Sequence, residues 1–287
     1  MAQSFLQRLS NLIPRRFRGD AALVNVVRLT GAIGFSTPLS PGMTHASVAR
    51  TLERAFSVKQ AKAVAIVINS PGGSPVQSHL IHKRIRSLAE EHKKKVFVFV
   101  EDVAASGGYM IACAGDEIFV DPSSITGSIG VVSASFGFNK LLAKIGVDRR
   151  VYTAGEKKMM LDPFQPEDAE DVKRLKSAQK EIHAMFIALV KERRGKKLKA
   201  PDKTLFSGEF WTGEESEKLG LVDGIGELRG TLRARYGKKV AIKLIAPPTG
   251  WFGRRVPGIG REMFGGDWAA TLISALEARS LWARFGL

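Results

Sequence analysis

The chain has 287 residues, with 44 Lys and Arg against 28 Asp and Glu, 44% apolar and 25% charged. This is the balance of a folded protein with a full core rather than of a disordered one. A single cysteine, Cys113, excludes a disulfide framework. The strongest apolar runs, Val64–Ile68 and Val96–Val100, are five residues long, far short of the roughly 18 that a membrane-spanning helix needs.

Residues 1–20 read as a basic leader. Arg8, Arg15, Arg16 and Arg18 stand there without an acid before Asp20, and neither the apolar stretch nor the cleavage site of a secretory signal is present. Leu23–Leu29 then reads as a strand and His45–Phe56 as a helix with Val48, Leu52 and Phe56 on one face. Alternation follows, with a strand at Ala63–Ile68, a helix at Val76–His92, a strand at Val96–Val100, a short helix at Ser106–Ala114 and a strand at Glu117–Val120. Continuous apolar strands between helices imply an α/β fold, with a layered parallel sheet covered on both faces.

Farther along, the pattern predicts a helix at Phe138–Ile145, a strand at Arg149–Thr153, a long helix from Pro166 to Arg194 stopped by Gly195, a helix at Thr212–Leu219 and a last strand at Val240–Ile245. From Ala246 the composition turns to Pro, Gly, Trp and Arg. The expected organisation is therefore leader 1–20, domain 21–245 and tail 246–287, helical at its end. Phe5, Leu6, Leu9, Leu12 and Ile13, and Trp268, Leu272, Ile273, Leu276, Leu281, Trp282 and Phe285, form apolar stripes suited to an anionic bilayer surface or to a neighbouring subunit. Charge is uneven: Lys173–Lys203 holds 11 basic and 3 acidic residues of a chain with formal charge +16. Such a run is a solvated helix face or a surface for an anionic partner.

Two strand-to-helix turns carry chemistry. Asn69-Ser70-Pro71-Gly72-Gly73 sits where a sheet's carboxyl edge meets a helix, which is where open α/β folds place their sites. It is either a Pro-Gly turn or a pair of free amides able to hold an oxyanion. Ala105-Ser106-Gly107-Gly108-Tyr109 ends the next strand, so Ser106 is a helix cap or a nucleophile. A base is then needed. His45, His79, His82 and His92 precede Ser106 in or beside helices and His183 lies in the long basic helix, so a Ser-His-Asp triad is poorly supported. A lysine serves instead where burial leaves it neutral, and Lys158, just before Met159-Met160-Leu161, is the candidate.

Together these residues resemble the SppA/SohB type of signal peptide peptidase, serine peptidases with the ClpP/crotonase fold. Besides the two turns, the resemblance rests on Thr126-Gly127-Ser128-Ile129-Gly130, on Gly155 to Pro163, on Trp211-Thr212-Gly213 and on Gly220-Leu221-Val222-Asp223, in the family's order, over roughly Leu23 to Ile245. It implies Ser106 as nucleophile and Lys158 as general base, since Lys157 stands one residue too far from Pro163. It also implies an oxyanion hole from the Gly73 and Gly107 backbone, Ser128 orienting the Lys158 amine, and a homo-oligomer whose sites are shared between protomers. The expected activity is endopeptidase cleavage of signal-peptide-like or other peptides and unfolded proteins through an acyl-enzyme, without a cofactor or metal. The family's usual membrane anchor has no counterpart here, so a cytoplasmic protein is expected, with peripheral contact on the inner membrane face. The competing readings are a crotonase-like acyl-CoA enzyme, with the same paired amides and no serine nucleophile, and a basic scaffold or nucleic-acid-binding protein. The latter lacks a stacking motif, so no specific nucleic acid is expected.

Overall fold

The structure, a computed structural model, describes residues 21–34, 42–155, 157–246, 276 and 279–287. The amphipathic leader and the first part of the tail stripe lie outside the described residues. An eight-stranded sheet organises the rest, in the order β6-β5-β3-β2-β1-β8, with β4 against β3 and β7 against β4. Its strands are β1 (Leu23–Thr30), β2 (Ala61–Ser70), β3 (Lys95–Ala105), β4 (Glu117–Val120), β5 (Ile125–Gly127), β6 (Phe210–Thr212), β7 (Gly224–Ile225) and β8 (Ala241–Leu244). Every pairing is parallel except that of β5 with β6.

The continuous apolar strands are buried twice over because side chains alternate between faces. Val64, Ile66 and Ile68 of β2 and Val96, Val98 and Val100 of β3 enter the larger core, while Ala63, Ala65, Val67, Phe97 and Phe99 enter the smaller one. The larger core is roofed by α1 (His45–Ser57), α2 (Pro75–Glu91), α3 (Gly107–Ala112) and the last turns of α5 (Ala169–Arg194). The smaller core is covered by α8 (Leu228–Tyr236), where Tyr236 meets Phe97 edge-on at 6.2 Å and Phe99 stacks on Phe119 at 5.5 Å. Short helices α4 (Asn139–Ile145), α6 (Asp202–Leu205) and α7 (Gly213–Lys218) complete the set.

Local chemistry sets the helix ends. Thr44 and Ser47 form a reciprocal capping box on α1, Ser74 caps α2 with Pro75 in its first turn, and Asp168 accepts from the Glu170 and Asp171 N–H groups to start α5. The long helix thus begins at Ala169, three residues after the expected Pro166, because the Asp168 carboxylate satisfies the first amides.

Three expectations change. β3 runs to Ala105 rather than stopping at Val100, because Val103–Ala105 pair with β5 after Phe97–Phe99 have paired with β4. One edge of β3 thus serves two strands in succession, and its carboxyl end is gripped between Ser70 of β2 and Gly127 of β5. The strand expected at Arg149–Thr153 is absent, since that stretch is irregular and exposed with no neighbour to pair with. The charge run from Lys173 to Lys203 is only partly a solvated face. Arg193 turns in to the Cys113 and Gly115 carbonyls at 2.8 and 3.1 Å, and Arg194, 3% exposed, holds Asp223 at 2.6 Å.

Candidate active site

Ser106 occupies the point where β3 turns into α3. Its backbone lies at φ +52°, ψ −120°, a region that costs a non-glycine residue of order 1–3 kcal/mol. Neighbours on both sides enforce it: the Ser106 N–H donates to the Gly127 carbonyl at 2.8 Å, and its carbonyl accepts from Met110 at 3.0 Å. The hydroxyl makes no capping hydrogen bond to α3, so it is displayed rather than consumed by the helix.

The Gly72-Gly73 turn packs directly against this corner. A Cβ on Gly72 would stand 2.8 Å from the Ala105 oxygen and 2.9 Å from the Gly107 nitrogen, and one on Gly73 would collide with the Ile33 carbonyl. Ile33 donates to the Gly72 oxygen and accepts from the Ser74 N–H, both at 2.8 Å, so the N–H of Gly73 takes no part in that bridge. Gly107 opens α3, where an amide has no partner within its own helix. Among the described residues, the two amides named from the sequence thus lie on adjoining backbone beside Ser106. Gly107 and Gly108 have no room for side chains, since Ser78 and the Ser70 carbonyl press on them.

A cavity of about 240 Å³ opens at Ser106, lined also by Ser128, Gly130, Val132, His183 and Arg284. Ser128 is buried at φ +51°, its N–H donating to the Glu209 carbonyl at 2.6 Å. The C-terminal residues reach the rim, with the Phe285 ring edge-on to Phe210 at 5.3 Å. His183 was set aside in the sequence as part of a basic helix, yet its Nε2 contacts the Ile129 carbonyl at 2.9 Å from within this cavity. The signal was helical spacing, because His183 shares a face with the buried Phe186 and Val190 at i+3 and i+7.

Lys158 does not join Ser106 within one chain. It is exposed in a turn over 157–161, its N–H donating to Gly155 at 3.1 Å, and it does not line the Ser106 cavity. The desolvation expected from Met159-Met160 is therefore not supplied by this protomer. Lys157 beside it is committed elsewhere: a 3.0 Å hydrogen bond to Glu170 raises its pKa. Both lysines ride on an arm, residues 131–168, that packs on itself through Phe138 against Phe164 at 5.6 Å and the Arg149–Asp162 pair. The arm leaves Phe136 and Tyr152 at 80 and 91% exposure, and α4 buries no residue.

The family profile described as Peptidase family S49 matches residues 89–241, which take in Ser106, Ser128, Lys158 and His183. The chain belongs to peptidase family S49. Among curated S49-like relatives, it is 32% identical over 265 residues to the chloroplastic serine protease SPPA of Arabidopsis thaliana, covering 87% of this chain and 38% of that protein. It is 60% identical over 287 residues to a Brucella abortus protein named Na(+)/H(+) antiporter NhaA, covering 97% of this chain and 39% of that one. The chain thus spans under two fifths of these relatives. The matched stretch contains the S49 region, and among the described residues no helix is long and apolar enough to cross a membrane. A solved structure of the 1510-N membrane-bound stomatin-specific protease, in complex with a substrate peptide, aligns at TM-score 0.47 and 16% identity, covering 79% of this chain and 94% of that one.

Behind the Ser106 corner, α3 is anchored in the core. Tyr109, fully buried, donates to the Leu221 carbonyl at 2.7 Å. Burial pushes the neighbouring Cys113 thiol up to about 12, so it stays protonated and inert. Burial alone would raise the Asp223 carboxyl as well, but hydrogen bonds from Arg194 and Lys197 hold it below the usual carboxylate range. The Gly220 to Asp223 motif is therefore a structural clamp on the end of α5 and on Leu221, the partner of Tyr109.

Proposed function

We propose that the chain is a serine endopeptidase in which Ser106 is the nucleophile and Lys158, supplied by an adjacent protomer, is the general base. The observation that carries this reading is the Ser106 corner: a hydroxyl held at a strained backbone angle, open to a cavity, with the Gly73 and Gly107 amides on adjoining backbone. As Ser106 Oγ attacks a peptide carbonyl, its proton passes to the Lys158 amine. The carbonyl oxygen takes up negative charge facing the two amides, and Lys158 then protonates the departing amine nitrogen. Water hydrolyses the resulting ester, and its proton returns through the same lysine. Ser128, buried on the cavity wall, orients the incoming amine.

The arm supports the shared site. It bears Lys158 away from its own Ser106 while presenting apolar side chains to solvent, and such faces mark protein interfaces. A closed ring would set each arm at the next protomer's Ser106 and bury Phe136 and Tyr152. In this reading 21–245 is the catalytic unit, the leader 1–20 and tail 246–287 are appendages, and the substrates are signal-peptide-like or unfolded segments met in the cytoplasm or at the membrane face.

His183 in the cavity favours a second reading, a Ser106–His183 pair within one chain. Its Nε2 faces the Ile129 carbonyl and so carries the proton, which leaves Nδ1 as the basic nitrogen. A fluorophosphonate probe and a fluorogenic peptide library test both. Labelling at Ser106, with cleavage lost in Ser106→Ala and Lys158→Ala and kept in Lys157→Ala and His183→Ala, is expected. Full turnover in Lys158→Ala with loss in His183→Ala would transfer the base to the histidine, and an unlabelled Ser106 would favour the acyl-CoA alternative.

A further inference from the structure

The cavity at Ser106 is polar, and its fixed charge has one sign. Among the described residues that line it, Arg284 is the one lysine or arginine, and no aspartate or glutamate is present. Three serines and His183 supply the other polar side chains, and His183 has its Nε2 on the Ile129 carbonyl at 2.9 Å. Glu209, beside Gly208 of the wall, is exposed and borders no part of the cavity.

Arg284 lies far from Ser106 in the chain, yet a short run of contacts joins them. The Phe285 and Gly286 N–H groups donate to the Trp282 and Ala283 carbonyls at 2.9 and 3.2 Å, closing a turn around Arg284. Phe285 meets Phe210 of β6 edge-on at 5.3 Å. Phe210 is paired with Gly127 of β5, whose carbonyl accepts from the Ser106 N–H at 2.8 Å. Arg284 itself is exposed, and among the described residues no hydrogen bond or ion pair engages its side chain. Its charge and its fork of N–H donors are therefore left for whatever enters the cavity, and a carboxylate matches that fork in shape and sign. The volume of about 240 Å³ falls below the roughly 300–1,000 Å³ of pockets for drug-sized ligands and suits one or two side chains of an extended peptide.

We propose that Arg284 is a specificity-determining residue that pairs with an Asp or Glu of the peptide substrate, at or next to the residue whose carbonyl Ser106 attacks. This rests on the peptidase reading of Ser106 and narrows its substrates. A signal peptide carries an apolar core, so a preference for a carboxylate beside the cleaved bond selects unfolded protein segments instead. Because the arginine is exposed, the pair contributes modestly and is weakened by salt.

The test is a set of fluorogenic peptides in matched pairs, with Glu or Gln at each of the two residues on either side of the cleaved bond. At the best position the unaltered chain should favour Glu about fivefold in kcat/KM at low salt, and the preference should shrink toward parity at about 0.5 M salt. Arg284→Gln should bring the pair to parity, Arg284→Lys should keep part of the preference, and Arg284→Glu should favour a Lys peptide over the Glu one. Both members of a pair meet the same Ser106 and Lys158, so their ratio cancels any effect of the substitution on the base. Anisotropy of the labelled pair on the Ser106→Ala chain separates this claim from the peptidase reading. A Glu preference in binding, with no cleavage by the unaltered chain, would uphold the Arg284 subsite and overturn the peptidase. A ratio near one in the unaltered chain, or a ratio unmoved in Arg284→Gln, would overturn the subsite alone. Faster cleavage of both peptides by that variant at an unchanged ratio, the mark of a segment that merely obstructs, would do the same, and neither binding nor cleavage of any peptide would overturn both.

Discussion

Replacing Ser106 with glycine removes the hydroxyl and also the conformational strain, whereas alanine removes only the hydroxyl. At φ +52°, ψ −120° a residue with a Cβ carries of order 1–3 kcal/mol of strain. Glycine escapes this but loses about 0.5–1 kcal/mol through the greater freedom of its unfolded chain. The difference leaves Ser106→Gly more stable than Ser106→Ala by about 1 kcal/mol. That corresponds to roughly 2 °C in Tm for a chain of this size. Both variants lack the nucleophile, so ligand-linked effects on stability are matched between them. Urea unfolding, followed by tryptophan fluorescence at one protein concentration and compared at equal m-values, measures the gap. An alanine variant as stable as the glycine variant, or more so, would refute the idea that the turn holds Ser106 in strain.

Two further changes probe the frame around the site. Gly73→Ala drives a methyl into the Ile33 carbonyl, so the turn must shift away from Ser106; kcat should fall by at least about 100-fold, as on loss of an oxyanion donor, while far-UV circular dichroism stays unchanged. Retained turnover would detach the Gly73 amide from the reaction. Arg194→Met breaks a pair whose arginine side chain is 2% exposed and strips two hydrogen bonds from the Gly220 carbonyl. With Lys197 still on Asp223 at 2.6 Å, the cost should sit at the low end for a broken buried pair, about 3 kcal/mol. Because the folded Asp223 pKa is depressed, its contribution is complete above the unfolded value near 3.9 and fades as pH falls through the folded value. Stability of the variant should therefore decline less steeply below about pH 4 than that of the unaltered chain, as thermal melts across pH 3–6 would measure; parallel curves would contradict the assignment.

The sheet was legible because β2 and β3 are apolar without interruption, the mark of strands buried on both faces. The extension of β3 was not, since Glu101-Asp102 looks like a polar turn; in the fold Glu101 pairs with Arg28 and Asp102 with Asn69, both at 2.5 Å, through exposed hydrogen bonds. Strands β5, β6 and β7 span only two or three residues each, too few to show a period. The opposite error at Arg149–Thr153 arose because Val151 and Tyr152 favour strands, although a strand exists only where a neighbour accepts its hydrogen bonds. The two strand-to-helix corners at Gly72-Gly73 and Ser106-Gly107 were legible because small residues there reflect a steric need that the sequence records, whereas the roles of Ser106 and Gly107 came from the family resemblance. His183 was missed because a helix face becomes the wall of the Ser106 cavity only through packing against Ile129, more than 50 residues away in the chain. Lys158 could be named by motif but not placed, since its surroundings in one chain are solvent.

The most direct test of the central claim is complementation between two inactive variants. Ser106→Ala and Lys158→Ala chains, unfolded, mixed in equal amounts and refolded together, would assort at random in a closed ring. About a quarter of the junctions would then place an intact Ser106 beside an intact Lys158. With mixed oligomers verified by native mass spectrometry, a shared site predicts peptide cleavage at about one quarter of the unaltered rate per chain, and none when either variant is refolded alone. Mixed oligomers that cleave nothing would contradict a site built across two protomers.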